Sequence, residues 1–556
     1  MSKMLSRLLC SLVLVLVAVP AAAQQRPMTF MDMQLQKRAG SWTPSPDGAW
    51  MLYTVSTPDW EEAETQSDLH VVSMREGVAS SRQLTFTDEF DEVDPAWTPD
   101  GSAFFFRSNR ETGEDDDGHQ LFVMRVDGGE ARKIGDFEHG VSGYDISPDG
   151  RWLVVRSGKS GQEQLPRMEI AALPSGESVA LTDAEAGVED WDFSPDGRVV
   201  YFNRAESWDA ADARRRELGF TVDVKNQITP LRSLWSVDLA SGTERRITDD
   251  ASYSVEGFVV SDDGRWISFT GGSPERYERN ITAQGLYADQ YLLEVATGSV
   301  ERLTENYEVS ESSARFSPDS RWIAFSAPDV MDRYTMTENR IYVREVTDRG
   351  GDFRKLGADF DQSLGLDYWS EDSRTIYFDA GVKVTNQLHA VDVESGRVRQ
   401  LTSERGVLSV QRDDDSGVIL INFQDPATPP TVFTVARLSD VENRGAWVQL
   451  VDVNPELDEI ALGRQVEVEW TSTDGKRVGG VLTYPVGYRE GTRYPLIVHI
   501  HGGPASADLL AFNEGYGSQV YAGAGYAVLM PNYRGSRNYG TAHRTDIGGD
   551  YFTLGF

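Results

Sequence analysis

From residue 45 to residue 423 the chain repeats one alternation of a polar turn and an apolar run. SPDGAWMLY begins at Ser45, TPDGSAFFF at Thr98, SPDGRWLVV at Ser147, SPDGRVVYF at Ser194, SDDGRWISF at Ser261, SPDSRWIAF at Ser317 and SEDSRTIYF at Ser370. A worn copy, DDDSGVILINF, begins at Asp413. The quartet carries turn chemistry: Pro presets φ, Asp bonds back to the turn backbone, and Gly takes positive φ. The run behind it is β-branched and aromatic, the composition of a strand. Most copies continue into a third apolar run, such as LWSVDL from Leu234, and a fourth that ends at a Leu-Thr or Ile-Thr pair, as at Thr85, Thr248 and Thr402. Four short strands per unit, at a period of about 45–65 residues, predict the blades of a β-propeller rather than a helical solenoid. Eight units predict eight blades, with seven as the alternative because the last copy is degenerate. Residues 206–225 interrupt the fourth unit between its second and third strands and read as a solvated loop, with a helical or partner-contacting excursion as the alternative.

Turn chemistry accounts for the repeated carboxylates. Asp47, Asp100, Asp149, Asp196 and Asp319 recur around a ring and cannot converge on one site, so they are expected to be structural. The acidic stretches 111–117 and 413–415 lack the alternate-ligand spacing and distal Glu of a calcium loop and read as solvated turns. The pair Glu61-Glu62 lies in the first unit and is likewise read as surface.

The period stops near Arg464. Residues 466–485 read as a hairpin around Ser472-Thr473-Asp474-Gly475. Next comes YPLIVHIHGGP, then a helix-like stretch over 512–522, then GYAVLMPNYRGSRNYG. The apolar runs 496–500 and 527–530 are nearly continuous in hydrophobic character, which predicts parallel strands buried on both faces and joined by a crossover helix. An α/β sheet therefore follows the repeats.

Charge narrows the choice of partner. Lys and Arg total 53 against 88 Asp and Glu, a net charge of −35 that opposes nucleic acid and anionic lipid. Residues 1–23 have the parts of a secretory signal: Lys3 and Arg7, an apolar run over 8–19, and Ala21-Ala22-Ala23 before an expected cleavage after Ala23. The one cysteine, Cys10, lies inside that segment. The mature chain is therefore expected to be secreted or periplasmic, without disulfides and without a membrane anchor. No metal-ligand or cofactor signature is read, and self-association is left open.

The order propeller, strand, His501-Gly502-Gly503-Pro504, helix, strand, Asn532-Tyr533-Arg534-Gly535-Ser536, Tyr539-Gly540 resembles the prolyl oligopeptidase family of serine peptidases, in its acylaminoacyl-peptidase and dipeptidyl-peptidase branches. The repeats alone also resemble those of periplasmic translocation proteins. The family resemblance implies a propeller over 41–455 that gates peptide access, the first part of an α/β-hydrolase domain over 464–556, and an N-terminal segment, 24–40, that can contact the hydrolase part. It implies cofactor-free hydrolysis of peptides. His501 and Gly502 become candidate oxyanion donors through their backbone N–H groups, supported by Gly503, Pro504, Asn532, Tyr533, Arg534, Gly535 and Ser536. Arg534 is expected to brace its loop by ion pairing, and His499 to be a packing residue. The alternative is a non-catalytic envelope protein that binds through its propeller and keeps a vestigial hydrolase domain; an esterase would use the same chemistry.

Acyl transfer by this mechanism needs a nucleophile elbow, G-x-S-x-G, followed by an acid and a histidine. Ser142, Ser160, Ser178 and Ser273 have the leading Gly without the trailing one, and no other serine fits. Nucleophile, acid and base are accordingly expected beyond Phe556, and His543 comes too early to be the base. The chain is read as a fragment of a longer peptidase. The 556-residue chain is expected to remain unlabelled by a fluorophosphonate probe; active-site-stoichiometric labelling would refute that.

Overall fold

The computed structural model describes residues 25–549 apart from 88, 112–117, 136, 138–139, 158–166, 173–177, 181–187, 221–229, 273–287, 306–310, 331–335 and 504. Residues 1–24, with Cys10 and the expected export segment, and most of the 111–117 stretch lie outside the described residues.

The quartets close as their chemistry requires. In the first, Ser45 Oγ donates to Asp47 Oδ1 at 2.6 Å, the Ala49 N–H donates to the same oxygen at 3.0 Å, and the Trp50 N–H donates to Ser45 Oγ at 3.0 Å. The set recurs at Ser147, Ser194, Ser261 and Ser317. Where the quartet ends in Ser instead of Gly, Ser320 and Ser373 keep the left-handed backbone, with φ of 53° and 57°. Each hydroxyl accepts from a turn of the preceding unit, from the Asp263 N–H at 3.2 Å and the Asp319 N–H at 3.1 Å. A contact between units thus stands against the cost of positive φ.

Six successive four-strand antiparallel sheets run from strand Arg38–Pro44 to strand Arg354–Leu356. The next eight strands, Tyr368–Trp369 through Val448–Gln449, form one eight-strand sheet because a parallel bridge between Asn386 and Val407 joins its two meanders. Apolar clusters link each unit to the next. Leu52 and Val71 meet Phe104 and Phe122; Val154 meets Phe202 and Val237; Ala324 and Ile341 meet Ile376 and Phe378. The last cluster returns to the start, with Leu420, Val432 and Leu450 against Met51, Tyr53 and Val72. The units are therefore in cyclic contact. Strands 38–44 and 448–449 belong to separate sheets, so closure between the last unit and the first uses side chains.

The interruption of the fourth unit takes the helical alternative rather than the loop favoured there. Residues Ala210–Glu217 form a helix, capped by Asp209, whose carboxylate accepts from the Ala211 and Asp212 N–H groups at 2.9 and 3.1 Å. Arg214, Arg215 and Arg216 fall in its last turn, where positive charge suits the helix dipole. It buries none of its residues, so capping and charge, not an apolar face, carry it.

After the repeats a second sheet forms from β1 (Gln465–Thr471), β2 (Arg477–Thr483), β3 (Leu496–Val498) and β4 (Ala527–Asn532), in the order β1-β2-β4-β3. Strands β3 and β4 are parallel, joined through helix α1 (Glu514–Gly523). The expectation of burial on both faces fails for β3. Leu496, Val498 and Ile500 are about half exposed, because β3 is the edge strand and no layer covers its outer face among the described residues. Strand β4 lies inside the sheet and buries Val528 and Met530 completely.

Two devices hold this sheet to the repeats. Residues 26–27 pair in parallel with 460–461, and Met28 joins a cluster with Leu457, Ile460 and Phe512. A Cβ on Gly523 of α1 would lie 2.6 Å from the Met28 carbonyl oxygen, so that glycine permits the close approach. On the other side, the hairpin tip at Lys383 and Val384 enters the sheet. Val384 is buried with Val481, Leu510, Val528 and Met530, and its carbonyl accepts from the Leu510 N–H at 2.8 Å. Beside it, Arg544 of helix α2 (Thr541–Thr545) pairs at 2.8 Å with Glu338, whose side chain is 2% exposed. Replacing Arg544 by Met leaves that carboxylate buried without its counter-charge, and is expected to lower unfolding stability by about 3 kcal/mol in a denaturant titration. The double variant with Glu338→Leu is expected to recover most of the loss.

Candidate functional site: the HGG turn and its clamp

At the end of β4 the chain turns through Tyr533, Arg534, Gly535 and Ser536. The Ser536 N–H donates to the Tyr533 carbonyl at 3.0 Å, and Gly535 at φ 97° fills the position that demands positive φ. Three contacts fix this turn from outside. Arg534, 7% exposed, forms ion pairs with Asp474 of the β1–β2 hairpin and with Asp546, the latter at 3.4 Å. The His543 Nε2 lies 3.0 Å from the Tyr533 carbonyl, which can only accept, so Nε2 carries the proton there. The Gly535 N–H in turn donates to the His543 carbonyl at 3.0 Å. His543 is therefore a loop brace, its imidazole held below its ordinary pKa chiefly by burial.

Asn532, fully buried, cross-links the neighbouring segment. Its Oδ1 accepts from the Asp508 N–H at 2.7 Å, and its Nδ2 donates to the Asp508 carbonyl at 2.9 Å. The amide thus completes the backbone pairing of a stretch that has no strand partner. The Asp508 carboxyl is pushed up to about 6 by burial.

Facing this loop, the chain leaves β3 through His499, whose N–H still donates to the Leu529 carbonyl at 2.9 Å, and reaches His501, Gly502 and Gly503. Both glycines are exposed, and Pro504 lies outside the described residues. The His501 ring stacks on the Tyr533 ring at 4.6 Å between centroids and 21° between planes. Its Nε2 is 3.0 Å from Ser536 Oγ, its Nδ1 3.0 Å from the Gly502 carbonyl, and the Tyr533 hydroxyl donates to the His501 carbonyl at 2.8 Å. Burial, then Arg537, lowers the His501 pKa, opposed by the Gly502 carbonyl, so the ring is neutral near pH 7. The Arg537 N–H ties the two loops once more, donating to the Ser506 carbonyl at 3.1 Å. The turn and the 532–536 loop, separate motifs in sequence, form one assembly.

The other charged candidates stand apart from it. Glu61 and Glu62 sit at an exposed hairpin tip, where their N–H groups bond to Asp59 Oδ1. Among the described residues no group of three or more His, Cys, Asp or Glu side chains could hold a metal ion. No described helix is long and apolar enough to cross a membrane.

No protein-family model matches the chain. Dipeptidyl-peptidase 5 of Porphyromonas gingivalis is 24% identical over 542 residues, which cover 94% of this chain and 70% of that protein. The acylaminoacyl peptidase of Pyrococcus horikoshii superposes with a TM-score of 0.58 at 15% identity, over 92% of this chain and 68% of that one. Dipeptidyl peptidase 4 of Porphyromonas gingivalis gives a TM-score of 0.65 at 12% identity, over 94% and 76%. In sequence and in fold the chain is thus similar, over more than nine-tenths of its length, to dipeptidyl and acylaminoacyl peptidases. The similarity spans both the repeats and the two loops.

The family motifs did not disclose every residue that shapes this assembly. Asp508 is one acid in a stretch with no signal of its own, and Asp474 and Asp546 become partners of Arg534 only through the fold. Asp508 offers a test. Its folded pKa of about 6 exceeds the unfolded value near 3.8, so the folded state binds more protons and stability falls as pH rises between them. Asp508→Asn is expected to gain about 1–2 kcal/mol over the parent chain at pH 8 in urea unfolding, a gain that shrinks as pH falls through 6 towards 4.

Proposed function

We propose that the protein is an exported serine peptidase that hydrolyses short peptides, with residues 41–455 as an eight-bladed propeller gating access to a hydrolase part that begins near 464. The cyclic order of the inter-sheet clusters, with the eighth unit meeting the first, supports eight blades over seven. Peptide substrates follow from the family and from a ring that filters by size; relatives bear the names dipeptidyl-peptidase and acylamino-acid-releasing enzyme.

The observation that carries the chemical reading is Gly502. A Cβ there would meet no atom within 4 Å and its φ lies outside the left-handed region, so neither packing nor backbone strain requires glycine. A side chain is missing on an open face, beside N–H groups with no acceptor among the described residues. That arrangement suits a carbonyl approaching closely and developing negative charge. In this reading the N–H groups of His501 and Gly502 are the donors of the HGG turn available to the oxyanion. The other loop residues hold the turn. The nucleophile, for which residues 1–556 contain no G-x-S-x-G, attacks from the opposite side of that carbonyl.

The full-length gene product is expected to release p-nitroaniline from dipeptidyl or N-acetylaminoacyl p-nitroanilides. No turnover of either, with an unlabelled fluorophosphonate gel, would leave the binding-protein alternative. Gly502→Ala is expected to lower kcat/KM by about 10²-fold, in the range for an impaired oxyanion donor, while the midpoint of thermal unfolding stays within about 2 °C.

A further inference from the structure

Two peptide planes of the HGG turn are held by their carbonyls. The His501 carbonyl accepts from the Tyr533 hydroxyl at 2.8 Å, and the Gly502 carbonyl faces His501 Nδ1 at 3.0 Å. In a trans peptide the C=O and the following N–H point in opposite directions. Holding the His501 oxygen towards Tyr533 therefore turns the Gly502 N–H away from it, and holding the Gly502 oxygen towards the imidazole does the same for the Gly503 N–H. Gly503 adopts φ 133°, and a Cβ there would lie 3.0 Å from the Ala505 nitrogen, so the second plane is fixed by a backbone few residues other than glycine can take.

The imidazole that holds the second plane is itself set by Ser536. A carbonyl only accepts, so Nδ1 carries the proton; Nε2 then presents a lone pair, and the Ser536 hydroxyl, fully buried and 3.0 Å away, donates to it. The stack on Tyr533 fixes the ring plane. One phenol thus serves twice, by its hydroxyl on the His501 carbonyl and by its face on the His501 ring.

We infer that Tyr533 is a positioning residue for the oxyanion donor: its hydroxyl orients the 501–502 peptide so that the Gly502 N–H faces the open side of the turn, while Ser536 acts through His501 on the next peptide. This rests on the oxyanion reading of Gly502 given above. It adds that an otherwise adaptable exposed turn is preorganised by a phenol from another loop, which is what makes a backbone donor effective in a transition state.

Tyr533→Phe tests it, because the ring that stacks on His501 is kept and only the hydroxyl is lost. In the full-length gene product kcat is expected to fall about 10-fold or more with KM within about twofold, since a misdirected donor weakens the transition state more than the ground-state complex. An unchanged kcat would overturn the inference, and so would a rise in KM alone. A second measurement needs no turnover. In the 556-residue chain labelled with ¹⁵N-glycine and ¹⁵N-histidine, the His501 ring is expected to show the Nδ1–H tautomer, and Tyr533→Phe is expected to shift the Gly502 amide resonance, with other glycines distant from the turn unmoved. A static Gly502 resonance, or the Nε2–H tautomer, would sink the proposal whatever the kinetics. A gene product that turns over no peptide, yet shows both NMR results, would instead refute the oxyanion reading and leave the positioning of the turn standing.

Discussion

The contact on which the fold depends is the one that closes the ring. Met51, Tyr53 and Val72 of the first unit meet Leu420, Val432 and Leu450 of the last, across nearly the whole length of the repeats. Every other cluster between successive repeat units joins neighbours in sequence and forms at modest loop-closure cost; this one brings together segments separated by hundreds of residues. Its position is also functional. The segments on either side of the seam, residues 26–36 and 454–461, are those that pair and pack against helix α1, so closing the ring also places the second sheet.

The two sheet systems grip one another at two separated places. At the seam, a two-residue parallel pairing and a small apolar cluster hold the N-terminal segment. At the seventh unit, the hairpin tip carrying Val384 is part of the core of the second sheet, and the Lys383 N–H donates to the Asn538 carbonyl at 2.8 Å. The residues from Asn538 to Arg544 continue directly from the Tyr533 loop, and they bond to Asp361, Ser363 and Glu338 of the propeller. The loop that clamps the HGG turn is thus anchored on the propeller within a few residues. Local geometry at the turn and the docking of the two parts are mechanically connected, through hydrogen bonds and ion pairs rather than through a broad apolar interface.

Polar groups do most of the ordering near the turn. Asn532 substitutes for a missing strand partner of residue 508, Arg534 spans from the loop to the β1–β2 hairpin, and His543 spans from α2 to Tyr533. Such an arrangement costs desolvation, visible in the raised Asp508 and lowered His501 and His543 pKa values. In return it leaves the surface of the turn free: the glycines are exposed while everything behind them is fixed.

The sequence by itself determined the repeats and their strand content, because the SPDG quartet encodes its turn within five residues and the runs behind it alternate in a local, readable way. It also determined the crossover between two parallel strands and, at Gly503 and Gly535, the turn positions whose positive φ is a local backbone demand. Only the tertiary structure decided the rest. The exposure of Leu496 and Val498 depends on which strand is the edge, and the helix at Ala210–Glu217 on whether its cap and charges outweigh the lack of an apolar face. The cyclic closure, the entry of Val384 into the second core, and the meeting of Tyr533 and Ser536 with His501 are long-range pairings. Each is made by side chains tens to hundreds of residues apart, where hydrophobic pattern says that a residue is buried or polar but carries no information about its partner.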